Sequence, residues 1–391
     1  MNIWTSKSRI VITCSNRITP WLQQEVLALG YRTDRVFKTG VELTGTLYDC
    51  IRLNIHVRCA SQVLFSIHSF RAENADTLYR ELVKLPWENW IPHNGYFSIT
   101  GNVRNPTITN SLFANVKVKD AIADRFRDQT GKRPDSGADA SATVISLFWQ
   151  DDYAEIFFDT SGETLSKHGY RKIPGKAPMM ESLAAATLLA SAWNRTSPFI
   201  NPMCGSGTLV IEAALLATGR TPALFRNNYG FMHITGYPVS MYEKAMHEMK
   251  EHIQPVPGLK IIATDISEDA VHITRVNAGI AGVADLIETN VCDFSETPVP
   301  ADGGGVVFFN PEYGDRLGVE TALQPVYRAM GDFLKKQCKG YRGYIFTGNL
   351  ELAKHIGLKP SRRIEFFNGK IDCRLLEYEL YAGTKDSRKT S

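Results

Sequence analysis

Residues 198–219 read PFINPMCGSGTLVIEAALLATG. An apolar strand ends at Ile200, a loop with two glycines follows, and an Ala/Leu-rich helix starts near Thr208. Glycines at a strand-to-helix turn let a ligand approach the backbone and leave amide N–H groups free to bind it. The loop lacks the GxGxxG fingerprint and the P-loop lysine, so dinucleotide and ATP readings lose ground. Downstream the pattern alternates strand and helix, as a doubly wound α/β sheet requires.

Three later strand ends carry polar residues. In LKIIATDISEDAVHITRVNAGIAGV (259–283) a strand ends on Asp265 and a helix follows. An acid at the end of the second strand is where a ribose-binding carboxylate sits in such sheets. Asp265 and Ser267 each also fit a helix N-cap. In DLIETNVCDFSE (285–296) Asp293 follows a short strand, as a ligand contact or as a solvated loop carboxylate.

In GGGVVFFNPEYGDRLG (303–318) the buried strand VVFF ends on Asn310-Pro311, at the edge where open α/β sheets bind ligands. An Asn side-chain oxygen and the adjacent backbone carbonyl are two acceptors, which together can hold both hydrogens of an exocyclic amine. That amine is conjugated and poorly nucleophilic on a nucleobase, and two acceptors aim its lone pair at an electrophile. Pro311 fixes the turn. Tyr313 offers a face for an unstacked base, worth ~1–3 kcal/mol. Alone, the motif would be a strand-ending turn with a core tyrosine. In series with three earlier strand-end features it reads as a site.

Ahead of this region two zones differ in pattern. Up to about residue 65, RIVITC (9–14), PWLQQEVLALGY (20–31) and TGVELTGTLYDCIRLNIHV (39–57) give strand, helix, strand, helix: a small α+β layer. From 66 to about 160, strands at LFSIHSFRAEN and YFSITGNVRN alternate with helices at DTLYRELVKLPWENWI (76–91) and SLFANVKVKDAIADRFRDQTG (111–131). SATVISLFWQ (141–150) and YAEIFFDTSG (153–162) form a hairpin about Asp151-Asp152. A hinge-like KHGYRKIPGKAPM (167–179) precedes the helix MESLAAATLLASAW (180–193).

The bulk numbers set limits. The chain has 391 residues, 43% hydrophobic and 22% charged, with formal charge +3. This is an ordinary globular composition for two or three domains, and a charge that permits a nucleic-acid partner without requiring one. Seven scattered cysteines without a CxxC pair argue against a disulfide framework or zinc knuckle. No spacing among the nine histidines suggests a metal site. The first residues lack the apolar core and cleavage site of a secretory signal, and no apolar run approaches the ~20 residues of a membrane span. The expected location is the cytoplasm.

Taken together, NPMCGSGTLVIEAA, TDIS, VNAGIAGV and FFNPEYGDRLG resemble class I S-adenosylmethionine-dependent methyltransferases. More narrowly, they are similar to bacterial RNA guanine-N2 methyltransferases that carry an N-terminal THUMP domain. DTSGETLSKHGYRK (159–172) is similar to the segment that closes that domain, and APMMESLAAATL (177–188) to the helix before the cofactor loop. TPALFRNNYGFMHITGYP (221–238) is similar to a family insertion.

The resemblance implies a ferredoxin-like α+β region (1–65), a THUMP RNA-binding domain (66–160) and a seven-stranded Rossmann-like methyltransferase domain (161–391). It implies S-adenosylmethionine as cofactor. Asn201, Pro202, Cys204, Gly205, Ser206 and Gly207 would line its methionine end, Asp265 would bind the ribose with Ile266 against the adenine, and Asp293 would face the adenine amine beside Phe294. Asn310, Pro311 and Tyr313 would hold the target base. Where the family has Asn-Pro-Pro-Tyr, this chain has Glu312, which would repel phosphates, take the departing proton or face solvent.

The expected reaction is direct transfer of a methyl group to guanine N2 of 23S ribosomal RNA, without a covalent enzyme intermediate or a metal. The alternatives are a transfer-RNA guanosine-N2 methyltransferase, a DNA adenine-N6 methyltransferase and a non-catalytic RNA-binding assembly factor. Of the remaining residues, His168, Arg171, Lys172 and Lys176 fit a phosphate contact or a charged linker. Tyr96, Phe97 and Trp87 fit a core, and Cys204 a small packing residue. The sequence leaves the methylated nucleotide and the oligomeric state open.

Overall fold

The computed structural model describes residues 2–108, 110–175, 178–301, 303–313 and 319–381. Lys176, the stretch 314–318 after Tyr313 and the polar tail lie outside the described residues.

In chain order the elements begin β1 (Ser8–Thr13), α1 (Thr19–Ala28), β2 (Arg35–Phe37), β3 (Gly40–Gly45), α2 (Leu47–His56) and β4 (Gln62–Arg71). Then come α3 (Ala75–Leu82), β5 (Tyr96–Arg104), α4 (Ser111–Thr130), β6 (Asp135–Gly137), β7 (Thr143–Gln150) and β8 (Tyr153–Asp159). Next are α5 (Glu181–Ala190), β9 (Phe199–Pro202), α6 (Thr208–Ala217), α7 (Val239–Glu251), β10 (Ile261–Asp265), α8 (Glu268–Ile280) and β11 (Ile287–Val291). The chain closes with β12 (Val306–Phe309), α9 (Val319–Gln337), β13 (Arg342–Thr347), α10 (Leu350–Lys354), β14 (Arg362–Asn368) and β15 (Ile371–Glu379).

The chain divides into two compact units, and neither is contiguous in sequence. The first holds Met1–Ser15, Leu22–Ser166 and Pro222–Lys250, the second Asn16–Trp21, Lys167–Thr221 and Glu251–Ser391. The first unit carries an eight-stranded sheet in the order β2-β3-β1-β4-β8-β7-β5-β6. One sheet therefore runs through both of the first two sequence zones.

Local chemistry accounts for its element ends. Thr46 and Asp49 form a reciprocal capping box at the start of α2. Gly131, at φ 71°, ends α4 in the left-handed conformation that glycine adopts without strain. The helix expected over 76–91 is shorter: α3 stops at Leu82, and residues 87–89 form a single 3₁₀ turn. Pro86 has no N–H to continue the ladder, and the buried Trp87 indole donates to Leu82 O at 2.8 Å. The helix expected over 180–193 likewise ends at Ala190, where the Ser191 hydroxyl donates to Leu188 O at 2.7 Å.

The segment that follows α6 closes this unit. Arg226 donates to three carbonyls of the loop after β8: Ser161 O at 2.8 Å, Glu163 O at 2.6 Å and Thr164 O at 3.2 Å. Its guanidinium lies 4.9 Å from the Tyr229 ring centroid. Behind the same loop Asp159 is fully buried, accepting from the Ser161 and Gly162 N–H groups at 3.0 and 3.3 Å. Burial pushes its carboxyl up to about 7.

An unfolded aspartate ionises near ~3.9. Between that value and about 7 the folded chain keeps a proton that the unfolded chain releases, so this group's contribution to stability falls as pH rises through the window. The unfolding midpoint of Asp159→Asn is therefore expected to gain on the wild type as pH rises from 5 to 7.5. Parallel midpoint curves for the two proteins would refute it.

The second unit carries a seven-stranded sheet in the order β11-β10-β9-β12-β13-β15-β14. Strands β9 to β13 are parallel, and β15 runs antiparallel between β13 and β14. Every residue of β9 and β12 is buried, which explains the unbroken apolar run of β12, and the one polar residue of β9, Asn201, is bonded to Phe308 O. The chain order reverses at β9, with β10 on one side and β12 on the other. The crevice beyond the carboxyl ends of these strands is where such sheets bind ligands. This is the expected doubly wound, Rossmann-like arrangement.

Candidate active site

The glycine loop is built by hydrogen bonds to the neighbouring strand. Met203 N and Cys204 N both donate to Thr264 O at 2.9 Å, turning the chain sharply after β9. Met203 adopts φ 136°, an unusual value for a side-chain-bearing residue. Gly205 and Gly207 stand at φ 55° and 81°. A Cβ on Gly207 would come within 2.8 Å of Thr274 Cγ2, so both conformation and packing demand glycine there.

Gly207 is also the N-cap of α6, and no side chain caps it. The first amides of α6 are left for another acceptor, with the positive end of the helix dipole behind them. Asn201 and Cys204 are buried and build the turn: Asn201 Nδ2 donates to Phe308 O at 2.7 Å, joining β9 to β12. Pro202 is buried beside them. Burial pushes the Cys204 thiol up to about 12, so it holds its proton at neutral pH. Ser206 is buried, its Oγ 3.3 Å from Thr208 Oγ1.

Asp265 ends β10 half-buried. Its Oδ2 accepts from Gly205 N and its Oδ1 from Ser267 N, both at 3.0 Å. Each oxygen keeps a further lone pair, which suits a vicinal diol. The α8 cap is Ser267, which accepts from Ala270 N, so the competing cap reading of Asp265 falls away. Ile266 beside it is 73% exposed, an apolar face open to a planar ring. Asp293 caps the turn Phe294–Glu296, accepting from Ser295 N at 2.9 Å. Phe294 packs edge-on against Phe309 and Phe333.

At the end of β12, Asn310 and Tyr313 are half-buried and Pro311 is buried. Tyr313 Oη donates to Asn310 Oδ1 at 2.8 Å, which fixes the direction of the carboxamide oxygen. Tyr313 is itself seated: Asn349 Nδ2 donates to its carbonyl at 3.2 Å, and its ring lies 6.2 Å from that of Phe346. Glu312 is exposed, and its backbone carbonyl accepts from Tyr327 Oη at 3.1 Å. The glutamate faces solvent while its backbone braces the turn.

Two sequence readings change. His168 and Arg171 are not free to meet phosphate: His168 is buried with Nδ1 2.6 Å from Glu212 Oε1, and Arg171 pairs with Glu181 at 2.6 Å. Their partners lie 44 and 10 residues away, so the local basic cluster concealed them. Lys172 is engaged through its backbone, donating to Asn277 Oδ1 at 3.2 Å. Trp87 and Phe97 are core residues as expected, and the Tyr96 hydroxyl accepts from Asp139 N at 3.1 Å.

The sequence reading missed Thr274 and Asn277. Both lie on the buried stripe Val271, Thr274, Asn277, Ala278 of α8 and bond to the glycine loop. Polar residues on an otherwise apolar helical stripe were the available signal. Among the described residues no group of His, Cys, Asp and Glu is arranged to hold a metal ion.

The chain was compared with known proteins. Residues 9–64 match an RlmL ferredoxin-like domain, 72–159 a THUMP domain and 168–377 an RMKL-like methyltransferase domain. The ribosomal RNA large subunit methyltransferase K/L of Syntrophotalea carbinolica is 34% identical over 379 residues, covering 94% of this chain and 53% of that protein. The chain spans about half the length of the curated relatives it matches.

A crystal structure described as a methyltransferase complexed with SAH superposes with TM-score 0.88 at 24% identity, covering 97% of this chain and all of that one (100%). A Listeria monocytogenes protein, named as a predicted N6-adenine-specific DNA methylase, has TM-score 0.85 at 29% identity, covering 96% and 97% of the two chains. The match over 168–377 takes in more than half of the chain, which belongs to the family of RMKL-like methyltransferase domains.

Proposed function

We propose that this chain is an S-adenosylmethionine-dependent RNA methyltransferase acting on guanine N2 of large-subunit ribosomal RNA in the cytoplasm. The carrying observation is the alignment of four polar strand ends, β9, β10, β11 and β12, along one edge of the sheet. The curated relatives named as ribosomal RNA large subunit methyltransferases support the substrate class. We assign residues 1–65, 66–160 and 161–391 to ferredoxin-like, RNA-binding THUMP and methyltransferase regions.

When bound, the cofactor supplies an electrophilic methyl group. The uncapped amides of α6 would hold its carboxylate and the Asp265 oxygens its ribose diol. Ile266 covers one adenine face, and Asp293 and Phe294 border the other end. The residues present fit this ligand: an uncapped helix start, a carboxylate with lone pairs to spare and an exposed apolar side chain stand in sequence along the strand ends.

At the base site Asn310 Oδ1 and the adjacent backbone carbonyl accept the two amine hydrogens. The amine displaces the Tyr313 hydroxyl from Oδ1, and the Tyr313 ring carries the base. The target guanosine is unpaired or flipped, because a stacked amine cannot reach the methyl group. The amine proton leaves to solvent after transfer.

The Listeria neighbour's name keeps a second reading in view, a DNA adenine-N6 enzyme. Tritiated methyl transfer to RNA and to DNA from a strain lacking the gene decides between them. Labelling of RNA at guanosine is expected; labelling of DNA alone refutes the proposal. In calorimetry the protein is expected to bind SAH, and Asp265→Ala to weaken that binding at least ~10-fold through loss of hydrogen bonds to a charged group. An unchanged affinity would remove Asp265 from the cofactor site.

A further inference from the structure

The carboxamide of Asn277 is fully buried and fully used. Its Oδ1 accepts from Lys172 N at 3.2 Å and from Ile173 N at 3.3 Å. Its Nδ2 donates to Ile173 O at 3.0 Å and to Ser206 O at 3.2 Å. Two acceptor sites and two donor hydrogens exhaust the group. One side chain thus joins three pieces: α8, the glycine loop, and the strap that enters the unit ahead of α5.

Neighbouring contacts reinforce the join. One helical turn earlier Thr274 Oγ1 donates to Gly205 O at 3.0 Å, so α8 holds two successive loop carbonyls. Arg171 Nη1 reaches Thr208 Oγ1, at the start of α6, at 3.2 Å and Met179 O at 2.7 Å. A Cβ placed on Gly175 would stand 3.4 Å from Ser206 Cβ, so the strap runs in contact with the loop. Holding these two carbonyls fixes the path of the loop between β9 and the start of α6. A buried polar group satisfied at every position fixes geometry in a way that an apolar residue of similar size would not.

We propose that Asn277 is a positioning residue for the cofactor site, latching the strap Arg171–Gly175 to the glycine loop so that the strap forms one wall of that site. The inference rests on the proposed function, since it takes S-adenosylmethionine as the ligand. Asn277 touches neither the cofactor nor the base and acts through Ser206 and the strap. Its loss loosens cofactor binding and leaves the base site intact.

The test uses the full chain. In calorimetry with SAH, Asn277→Ala is expected to bind at least ~10-fold more weakly than wild type, while kcat at saturating cofactor and KM for RNA stay within about threefold. Asn277→Asp keeps both acceptor bonds and points an oxygen at the Ile173 and Ser206 carbonyls, so it weakens SAH in the same way. Unchanged SAH affinity in a variant that unfolds cooperatively overturns the proposal, as does a fall in kcat with affinity retained.

A second measurement needs no variant. In the wild type, saturating SAH is expected to slow tryptic cleavage after Lys172 at least ~5-fold, because a ligand bound against the strap opposes its opening. Cleavage at one rate with and without SAH overturns the wall assignment. A wild type that binds no SAH overturns the enzyme reading itself, which separates the two failures.

Discussion

Under the proposed function, Asn310→Ala is expected to lower kcat for methyl transfer by about 10²–10³-fold, the scale seen when one preorganised transition-state partner is removed. SAH affinity stays within about twofold, because Asn310 lies at the end of β12, while the proposed cofactor contacts come from β9, β10 and β11. The reasoning is electrostatic. The amine gains positive charge as it attacks, and Oδ1 faces those hydrogens only when its direction is fixed. Tyr313 Oη fixes it in the free protein at 2.8 Å. Tyr313→Phe therefore loses less than Asn310→Ala, since the ring that carries the base remains. Single-turnover transfer at saturating cofactor checks both. Full turnover by Asn310→Ala would end the amine-clamp argument while leaving the methyltransferase family untouched.

His168→Ala is expected to destabilise the chain by about 1–3 kcal/mol, the usual cost of leaving a buried hydrogen-bonding group without its partner. Both side chains are essentially solvent-free, 0% and 1% exposed, with 2.6 Å between Nδ1 and Oε1. The Glu212 carboxyl loses its partner inside α6, the helix that begins at the glycine loop. For a unit of the size that holds His168 each kcal/mol lowers the unfolding midpoint by ~2–4 °C, so the loss amounts to a few degrees or more. The double replacement His168→Leu, Glu212→Leu is expected to recover most of it, because an apolar pair leaves no polar group unsatisfied. Calorimetric unfolding of the wild type and the two variants checks both. A midpoint shift below about 2 °C for His168→Ala would contradict a buried pair.

The C-terminal sheet was legible because strands buried on both faces write themselves as short apolar runs, each stopped by a polar residue or glycine. Asp265 and Phe309 mark such stops, and the structure ends β10 and β12 there, while β9 runs two residues past the expected end at Ile200, to Pro202. Glu312 needed the structure: its exposure could not be told from its type. Asn277 and Thr274 were hidden for the opposite reason, being polar residues on a helix whose inward face is set by packing. His168 and Arg171 were misread because pairing partners are chosen in space. Helix lengths went wrong where periodicity ran past a stop signal already visible, at Pro86 and Ser191. The shared sheet of the first two zones rests on β1–β4 and β4–β8 pairings, which composition does not encode.

The make-up of the units is out of step with the order in which the chain leaves the ribosome. The N-terminal unit includes Pro222–Lys250, and Arg226 from that segment supplies the donors for the carbonyls of the loop after β8. A nascent chain that has reached residue 166 still lacks those donors, and at ~5–20 residues per second it waits seconds for them. Synthesis from the N-terminus therefore cannot finish the first unit before it has begun the second, whose glycine loop emerges earlier than Arg226 does. A fragment that ends at residue 166 lacks the Arg226 donors permanently, leaving the carbonyls of Ser161, Glu163 and Thr164 without them.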